Sequence, residues 1–151
     1  MPPIVGTSHV ANRYLSLKKR KMIINQNIIK KRQEFYWLGR KFADENNLLK
    51  AIEAYKTYST YLSDEDKHIP QQWIFKFYED LGEVEKSLYH LEEFAKGCTP
   101  PKAAEVFKEV GEKFLKINLI ERAKINFENA IEKNPNIGVK KKLKELKNGL
   151  L

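Results

Sequence analysis

The chain has 151 residues, of which 42% are hydrophobic and 32% are charged, and its formal net charge is +8. This balance is typical of one soluble globular domain and excludes a disordered chain. No run approaches the ~20 apolar residues of a membrane span. The seven glycines and six prolines fall between stretches of helical periodicity, which predicts an all-α fold.

The positive charge is concentrated at the two ends of the chain. Residues 1–32 contain no acid, whereas residues 33–132 hold 14 bases and 19 acids, and residues 133–151 are again lysine-rich. We therefore expect a slightly acidic body with basic ends. The N-terminal bases, termed the basic segment, are Arg13, Lys18, Lys19, Arg20, Lys21, Lys30, Lys31 and Arg32.

Residues 1–32 form the first predicted unit, a basic extension that is partly helical. Residues 1–6 are predicted to be irregular, and Asn25-Gln26-Asn27 predicts a break, with Asn27 capping a new helix. Between about residues 9 and 31 apolar side chains recur at helical spacing, although Lys21 interrupts them. This stripe consists of Val10, Tyr14, Leu17, Ile24 and Ile28.

Three helix–turn–helix units follow, over about residues 33–66, 69–99 and 102–135. The third is the clearest, with Phe107-x-x-Val110-Gly111-x-x-Phe114 in its first helix, then Ala123-x-x-x-Phe127 in its second. The three units keep a period of 36 residues without a gap. The columns that show it are Gly39, Phe75 and Gly111, then Ala51, Ser87 and Ala123, then Tyr55, Leu91 and Phe127.

The small residues in these columns have a physical role. Gly111 and Ala123 should lie where the paired helices cross, because small side chains let two backbones approach closely. Phe75 stands in the glycine column of the second unit. Either the two helices of this unit lie further apart or its first helix is rotated relative to this alignment, and we predict a wider helix crossing there. The turns should fall at Asn46–Asn47 and at Gly82. Residues 138–151 predict a final capping helix with an apolar stripe of Val139, Leu143, Leu146 and Leu150.

Over residues 33–135 the chain resembles the tetratricopeptide repeat family. The resemblance implies a right-handed helical solenoid that holds a peptide or helical segment of a partner protein in a concave groove. On this basis the expected function is a non-catalytic adaptor or assembly scaffold. The groove-facing positions that it implies are Tyr36, Trp37, Arg40, Gln72, Trp73, Lys76, Lys108, Glu109 and Glu112.

Trp37 and Trp73 are 36 residues apart, so we expect them to occupy equivalent positions along one wall. With Arg40 and Lys76 nearby, they would suit a segment with apolar anchors and some acidic character. The alternative, of equal weight, is that both tryptophans pack between neighbouring helices as part of the core.

Catalytic and metal-binding patterns are missing from the sequence. His9, His68 and His90 are far apart, and Cys98, the only cysteine, has no neighbouring base. We expect no enzyme activity, no cofactor and no metal. The lone cysteine and the lack of a secretory signal at the N-terminus favour a cytoplasmic location. Within the cytoplasm, the protein could also be peripheral to a membrane or part of a larger assembly.

Several alternatives stay open. The layout also resembles that of small secretion-type chaperones. The basic segment could be a solubilising extension, a tether to an anionic membrane surface or an acidic protein, or a contact with a second copy of the chain. Nucleic acid is the less favoured partner, because Tyr14 is the only aromatic residue interleaved with these bases.

Overall fold

A computed structural model of the protein describes residues 5–150, with side chains from His9 onward. This part of the chain is all-helical, as predicted, and contains seven α-helices. They are α1 (Val5–Asp44), α2 (Leu48–Thr60), α3 (Gln71–Asp80), α4 (Val84–Gly97), α5 (Pro100–Lys116), α6 (Ile120–Lys133) and α7 (Lys140–Lys147). None of these helices has the length and apolar character needed to cross a membrane.

The first helix is longer than predicted. α1 continues for 40 residues from Val5 to Asp44, so the break expected at Asn25–Asn27 is wrong, as is the irregular start at residues 5 and 6. Residues 1–4 lie outside the described residues. An internal Asn weakens a helix by only about 0.7 kcal/mol, too little to interrupt one that neighbouring turns propagate. No boundary near residue 32 therefore separates the basic segment from the first predicted repeat.

The three turns that join α1 to α2, α3 to α4 and α5 to α6 share one backbone conformation. Each contains a residue with positive φ, at 57° for Asn46, 77° for Gly82 and 60° for Asn118. The next amide then donates to a carbonyl in the last turn of the preceding helix, which satisfies that helix end. These bonds are Asn47 N to Phe42 O (2.8 Å), Glu83 N to Tyr78 O (2.9 Å) and Leu119 N to Phe114 O (3.0 Å). The 36-residue period is thus present in the backbone of the turns.

Successive helices pack on one another in chain order. The close approach predicted at Gly111 is confirmed, because a Cβ there would lie 2.7 Å from the buried ring of Phe127. A Cβ on Gly39 would likewise lie 2.9 Å from the ring of Tyr55. In both pairs an aromatic ring on the second helix fills the space that the glycine leaves.

α3 departs from this arrangement. Its fully buried residue is Ile74, which packs with Ile52 and Tyr55 of α2. Phe75 is half-buried and turned towards α5, where the Lys113 ammonium lies 5.5 Å from its ring centroid. Val110, which stands 36 residues after Ile74, is fully buried as well, so the burial of Ile74 agrees with the predicted alignment. The wider crossing and the rotated first helix both stay predictions for this unit.

The buried side chains form two clusters of different composition. The larger cluster draws on α4 to α7 and includes Phe107, Phe114 and Phe127. Each such side chain stabilises the fold by roughly 1.5–3 kcal/mol. The smaller cluster consists of Ile52, Tyr55 and Ile74, with partly buried aromatic rings packed around it.

The C-terminal helix is shorter than predicted. α7 spans Lys140–Lys147 instead of residues 138–151, and Leu151 lies outside the described residues. Val139, Leu143 and Leu146 are buried, as expected of a capping stripe, but Leu150 is 69% exposed. The helix ends because Gly149 adopts a positive φ of 69°, a conformation that helical residues do not adopt.

Candidate functional site

Five aromatic side chains from three helices meet on one side of the smaller core. This aromatic cluster consists of Tyr36 of α1, Tyr55 and Tyr58 of α2, and Trp73 and Phe77 of α3. Ring centroids are 5.0 Å apart for Tyr55 and Trp73, 5.9 Å for Tyr55 and Phe77, and 6.1 Å for Tyr36 and Trp73. Edge-on and offset contacts at these distances stabilise aromatic pairs beyond the area that they bury. The cluster therefore fixes α1 against α3 through α2.

A cleft opens to solvent above the aromatic cluster, between α1 and α3. The α1–α3 cleft has a volume of about 400 Å³. It is lined by Tyr36, Arg40, Ala43, Asp44, Tyr55, Trp73, Lys76 and Phe77. Four of the nine predicted groove residues line it, namely Tyr36, Arg40, Trp73 and Lys76. A second hollow, of about 470 Å³, shares Arg40 and Asp44 with the cleft and includes Trp37.

The two tryptophans occupy different environments, although their spacing predicted equivalent ones. Trp37 is 63% exposed, whereas Trp73 is half-buried within the aromatic cluster. Tyr36 contacts both, with centroid distances of 5.3 Å to Trp37 and 6.1 Å to Trp73. Trp37 is thus available to a partner, and Trp73 serves the packing of the cleft floor.

The charged groups of the cleft differ in their availability. Lys76 pairs with two acids of its own helix, Glu79 at 3.1 Å and Asp80 at 3.6 Å. The hydrogen bond to Glu79, followed by the charge of Asp80, raises the pKa of Lys76. Interaction with the Tyr36 hydroxyl, followed by the Asp44 carboxylate, raises the pKa of Arg40. Arg40 is exposed, so its guanidinium keeps donors that can face a ligand.

Burial affects two tyrosines of the aromatic cluster. It raises the pKa of Tyr55 above its ordinary value, and it has the same effect on Tyr58. The floor of the cleft presents ring faces together with phenolic oxygens. Such a surface suits an apolar or aromatic side chain of a ligand.

The remaining predicted groove residues lie outside the lining of the cleft. Gln72 is half-buried on α3, and Lys108 is half-buried on α5. Glu109 pairs with Lys113 at 3.7 Å, and Glu112 pairs with Lys142 of α7 at 3.8 Å. Glu112 thus faces the C-terminal helix, whereas the ion pair of Glu109 lies within α5.

The basic segment lies along the exposed length of α1. Arg13, Lys18, Lys19, Arg20, Lys21 and Lys30 are exposed. Lys31 pairs with Glu34 at 3.2 Å, and Arg32 donates a hydrogen bond to the carbonyl of Tyr61. Only Arg32 of the basic segment is thus partly buried, at the point where α1 meets the body.

Sequence reasoning missed four residues of the cleft: Ala43, Asp44, Tyr55 and Phe77. Tyr55 stands in a column whose other members, Leu91 and Phe127, are apolar. A tyrosine in such a column indicates a position close to the surface, because its hydroxyl needs a hydrogen-bond partner or water. Phe77 carried no periodic signal, because the equivalent positions in the other two units are Lys41 and Lys113.

Comparison with protein-family models gives no match, and none of the curated proteins matches this chain in sequence. Within residues 5–150, no group of three or more His, Cys, Asp or Glu side chains is placed to hold a metal ion.

Proposed function

We propose that this chain is a non-catalytic protein–protein interaction module whose α1–α3 cleft holds a short segment of a partner protein. It would act as an adaptor or assembly scaffold in the cytoplasm. The observation that carries the proposal is the cleft itself, which combines a packed aromatic floor with an exposed arginine and adjoins a hollow lined by the exposed Trp37. Trp, Tyr and Arg are the residues that most often dominate protein interfaces.

The proposed architecture is a right-handed solenoid of three tetratricopeptide-like helix pairs, capped by α7. The three matching turns, spaced 36 residues apart, support it. The glycines at Gly39 and Gly111, each filled by a ring from the paired helix, support it too. In a solenoid of this kind, α1, α3 and α5 line the inner surface, and the cleft lies between the first two.

The cleft favours a ligand with two chemical features. An apolar or aromatic side chain would stack on the rings of Tyr36 and Trp73, and Trp37 would cover it from the adjoining hollow. A carboxylate two to four residues along the same segment would reach Arg40, whose fork of donors matches a carboxylate. The neighbouring Asp44 would disfavour a second carboxylate at the same end of the cleft.

The test uses peptides selected against the wild-type protein from a random library. Trp37→Ala and Arg40→Ala should each weaken binding of these peptides by about tenfold or more, since interface anchors typically contribute about 2 kcal/mol or more. Leu49→Ala is the matched control, because Leu49 is also 63% exposed but lies on α2 outside the cleft. Unchanged binding in both variants, or equal loss in the control, would contradict the proposal.

A further inference from the structure

The N-terminal half of α1 forms an arm that stands free of the body. Every side chain from His9 to Asn27 is exposed, which defines the arm. At 1.5 Å per residue, it extends for roughly 28 Å. Packing on the body is established further along, where Arg32 bonds to the Tyr61 carbonyl and Phe35 stacks on the Tyr61 ring at 5.9 Å.

Large apolar side chains line one side of this arm. Val10, Tyr14, Leu17 and Ile24 are 71%, 65%, 55% and 57% exposed, and Ile28 is half-buried where the arm ends. With Lys21 included, the successive steps are four, three, four, three and four residues, and Phe35 continues the same register. This period of 3.5 residues, confined to a narrow line, is the seam of a coiled coil. We term this line the heptad stripe.

Bases flank the heptad stripe on both edges. In the heptad register, Arg13 and Arg20 lie along one edge, Lys18 and Arg32 lie along the other, and Lys21 lies on the stripe itself. The flanking positions of a coiled coil determine which partner is accepted, because their charges meet those of the facing helix. No acid occurs before Glu34, so the arm cannot neutralise these charges internally.

We propose that the heptad stripe docks an acidic amphipathic helix of a partner protein in a two-helix coiled coil. The partner would carry apolar residues at seam positions, Asp or Glu at the flanking positions, and an acid facing Lys21. This contact is independent of the α1–α3 cleft, which lies on the opposite half of α1.

Charge disfavours a second copy of this chain as the occupant. In a parallel pairing, Lys21 would face Lys21 of the other copy, and Arg13 would face Lys18. An antiparallel pairing would again bring only bases together along the edges. Like charges held side by side in this way destabilise the pairing.

A bilayer surface fits the arm less well than a helix does. Leu15, Met22 and Ile29 form a second exposed row about a third of a turn away from the heptad stripe. Lys18 lies between the two rows and Lys21 lies within the heptad stripe, so bases interrupt any broad apolar face. A helix that lies in a membrane interface needs one such face, whereas a coiled-coil partner needs only the stripe.

The experiment measures binding of designed helical peptides to the full-length protein by fluorescence anisotropy. The acidic peptide has Leu at seam positions, Glu at flanking positions and Glu facing Lys21, and the basic peptide has Lys in place of each Glu. The acidic peptide should bind at least about tenfold more tightly than the basic one. The Leu17→Ala/Ile24→Ala variant should weaken this binding at least about tenfold. The matched control is Leu15→Ala/Met22→Ala, whose side chains are 51% and 56% exposed on another side of the arm, and it should bind as the wild type does.

Charge exchange provides the second arm of the test. Lys21→Glu should weaken binding of the acidic peptide, and a peptide with Lys facing position 21 should restore it. Equal binding of acidic and basic peptides, or equal loss in both double variants, would overturn the proposal. Binding to phosphatidylserine-containing vesicles without binding to the acidic peptide would also overturn the proposal. A stable dimer of the free protein that Leu17→Ala/Ile24→Ala dissociates would overturn it as well. Far-UV circular dichroism and thermal unfolding check that the body of each variant is folded.

Discussion

A buried charged network between α4 and α6 gives the sharpest stability prediction. The Glu92 side chain is 7% exposed and accepts hydrogen bonds from the Arg122 guanidinium and from the Asn126 amide, the latter at 2.6 Å. Asn126 is fully buried and also donates to the Arg122 carbonyl at 2.9 Å. The Arg122 guanidinium carbon lies 5.1 Å from the ring centroid of Tyr89, so the side chain has an apolar contact as well. The perturbation is Arg122→Met, which keeps the apolar stem and removes the charge.

The expected loss follows from what remains after the substitution. Glu92 would keep the hydrogen bond from Asn126, but its carboxylate would lose the Arg122 guanidinium that neutralises its charge. Removing one partner of a buried ion pair costs about 3–5 kcal/mol. The Arg122 side chain is 34% exposed, so water can approach the vacated position. We therefore expect a decrease of about 3 kcal/mol in the free energy of unfolding, at the lower end of that range.

Urea unfolding followed by circular dichroism measures this decrease, and a double-mutant cycle isolates its cause. The Glu92→Leu/Arg122→Met variant should recover most of the loss, because an apolar pair of similar volume replaces the uncompensated carboxylate. Lys124→Met is the control on the same helix, since its partner Glu121 is 83% exposed and an ion pair screened in this way should contribute less than about 1 kcal/mol. A loss below about 1 kcal/mol for Arg122→Met, or a double variant less stable than both single ones, would refute the reasoning.

Two further predictions concern the crossing of α5 with α6 and the pH dependence of stability. Gly111→Ala should lower the free energy of unfolding by about 1 kcal/mol, because crowding against Phe127 outweighs the gain from a better helix former. Adding Phe127→Leu to the Gly111→Ala variant should recover part of this lost stability. If it recovers none, the Phe127 ring is not the cause of the loss. Burial, followed by the charge of Lys56, lowers the pKa of His90, so the unfolded chain binds this proton more readily than the folded one. The contribution of neutral His90 to the free energy of unfolding should therefore be fully present above about pH 6.5, the ordinary pKa of histidine, and should decrease as the pH falls below that value. His90→Gln should remove this part of the pH dependence. A wild-type-like pH profile in that variant would contradict the assignment to His90.

The repeat could be predicted from the sequence because its signals are steric. A glycine faces an aromatic ring at Gly39 and at Gly111, and no side chain larger than hydrogen fits at either position without movement. The turn residues Asn46, Gly82 and Asn118 are those that tolerate positive φ. A requirement of this kind leaves few residue types to choose from, so it appears as a column with a fixed period.

The continuity of α1 and the packing of Phe75 could not be predicted in this way. Asn25–Asn27 looked like a break, but a polar residue on an exposed helix faces only a small propensity penalty, and nothing else there ends the helix. At α3, Phe75 replaces the glycine of the other two units, so the period did not determine where its ring would lie. The ring is half-buried and packs against the larger cluster.

Only part of the cleft was predicted, because its lining includes a residue of α2 as well as residues of α1 and α3. Tyr36, Arg40, Trp73 and Lys76 were found because the repeat places them on the inner face of their helices. Tyr55 lies on α2, the second helix of the first pair, and its side chain is long enough to reach the cleft. Its ring fills the space beside Gly39 and also supports Trp73, at 5.0 Å. One side chain therefore serves both the helix crossing and the floor of the cleft.

Both proposed recognition surfaces lie in the part of the chain with the smaller core. The larger hydrophobic cluster lies in α4 to α7. The cluster shared by α1 to α3 is smaller, because it consists of Ile52, Tyr55 and Ile74 with partly buried aromatic side chains around them. Aromatic groups at a cleft cannot be fully buried and also remain available to a ligand, so recognition and stability compete for the same side chains. A ligand that covers them would relieve this competition, since binding to the folded form alone stabilises it by about 2.7 kcal/mol at a hundredfold excess over Kd. The C-terminal helices thus supply the stability that lets the N-terminal helices keep their aromatic and apolar surface exposed.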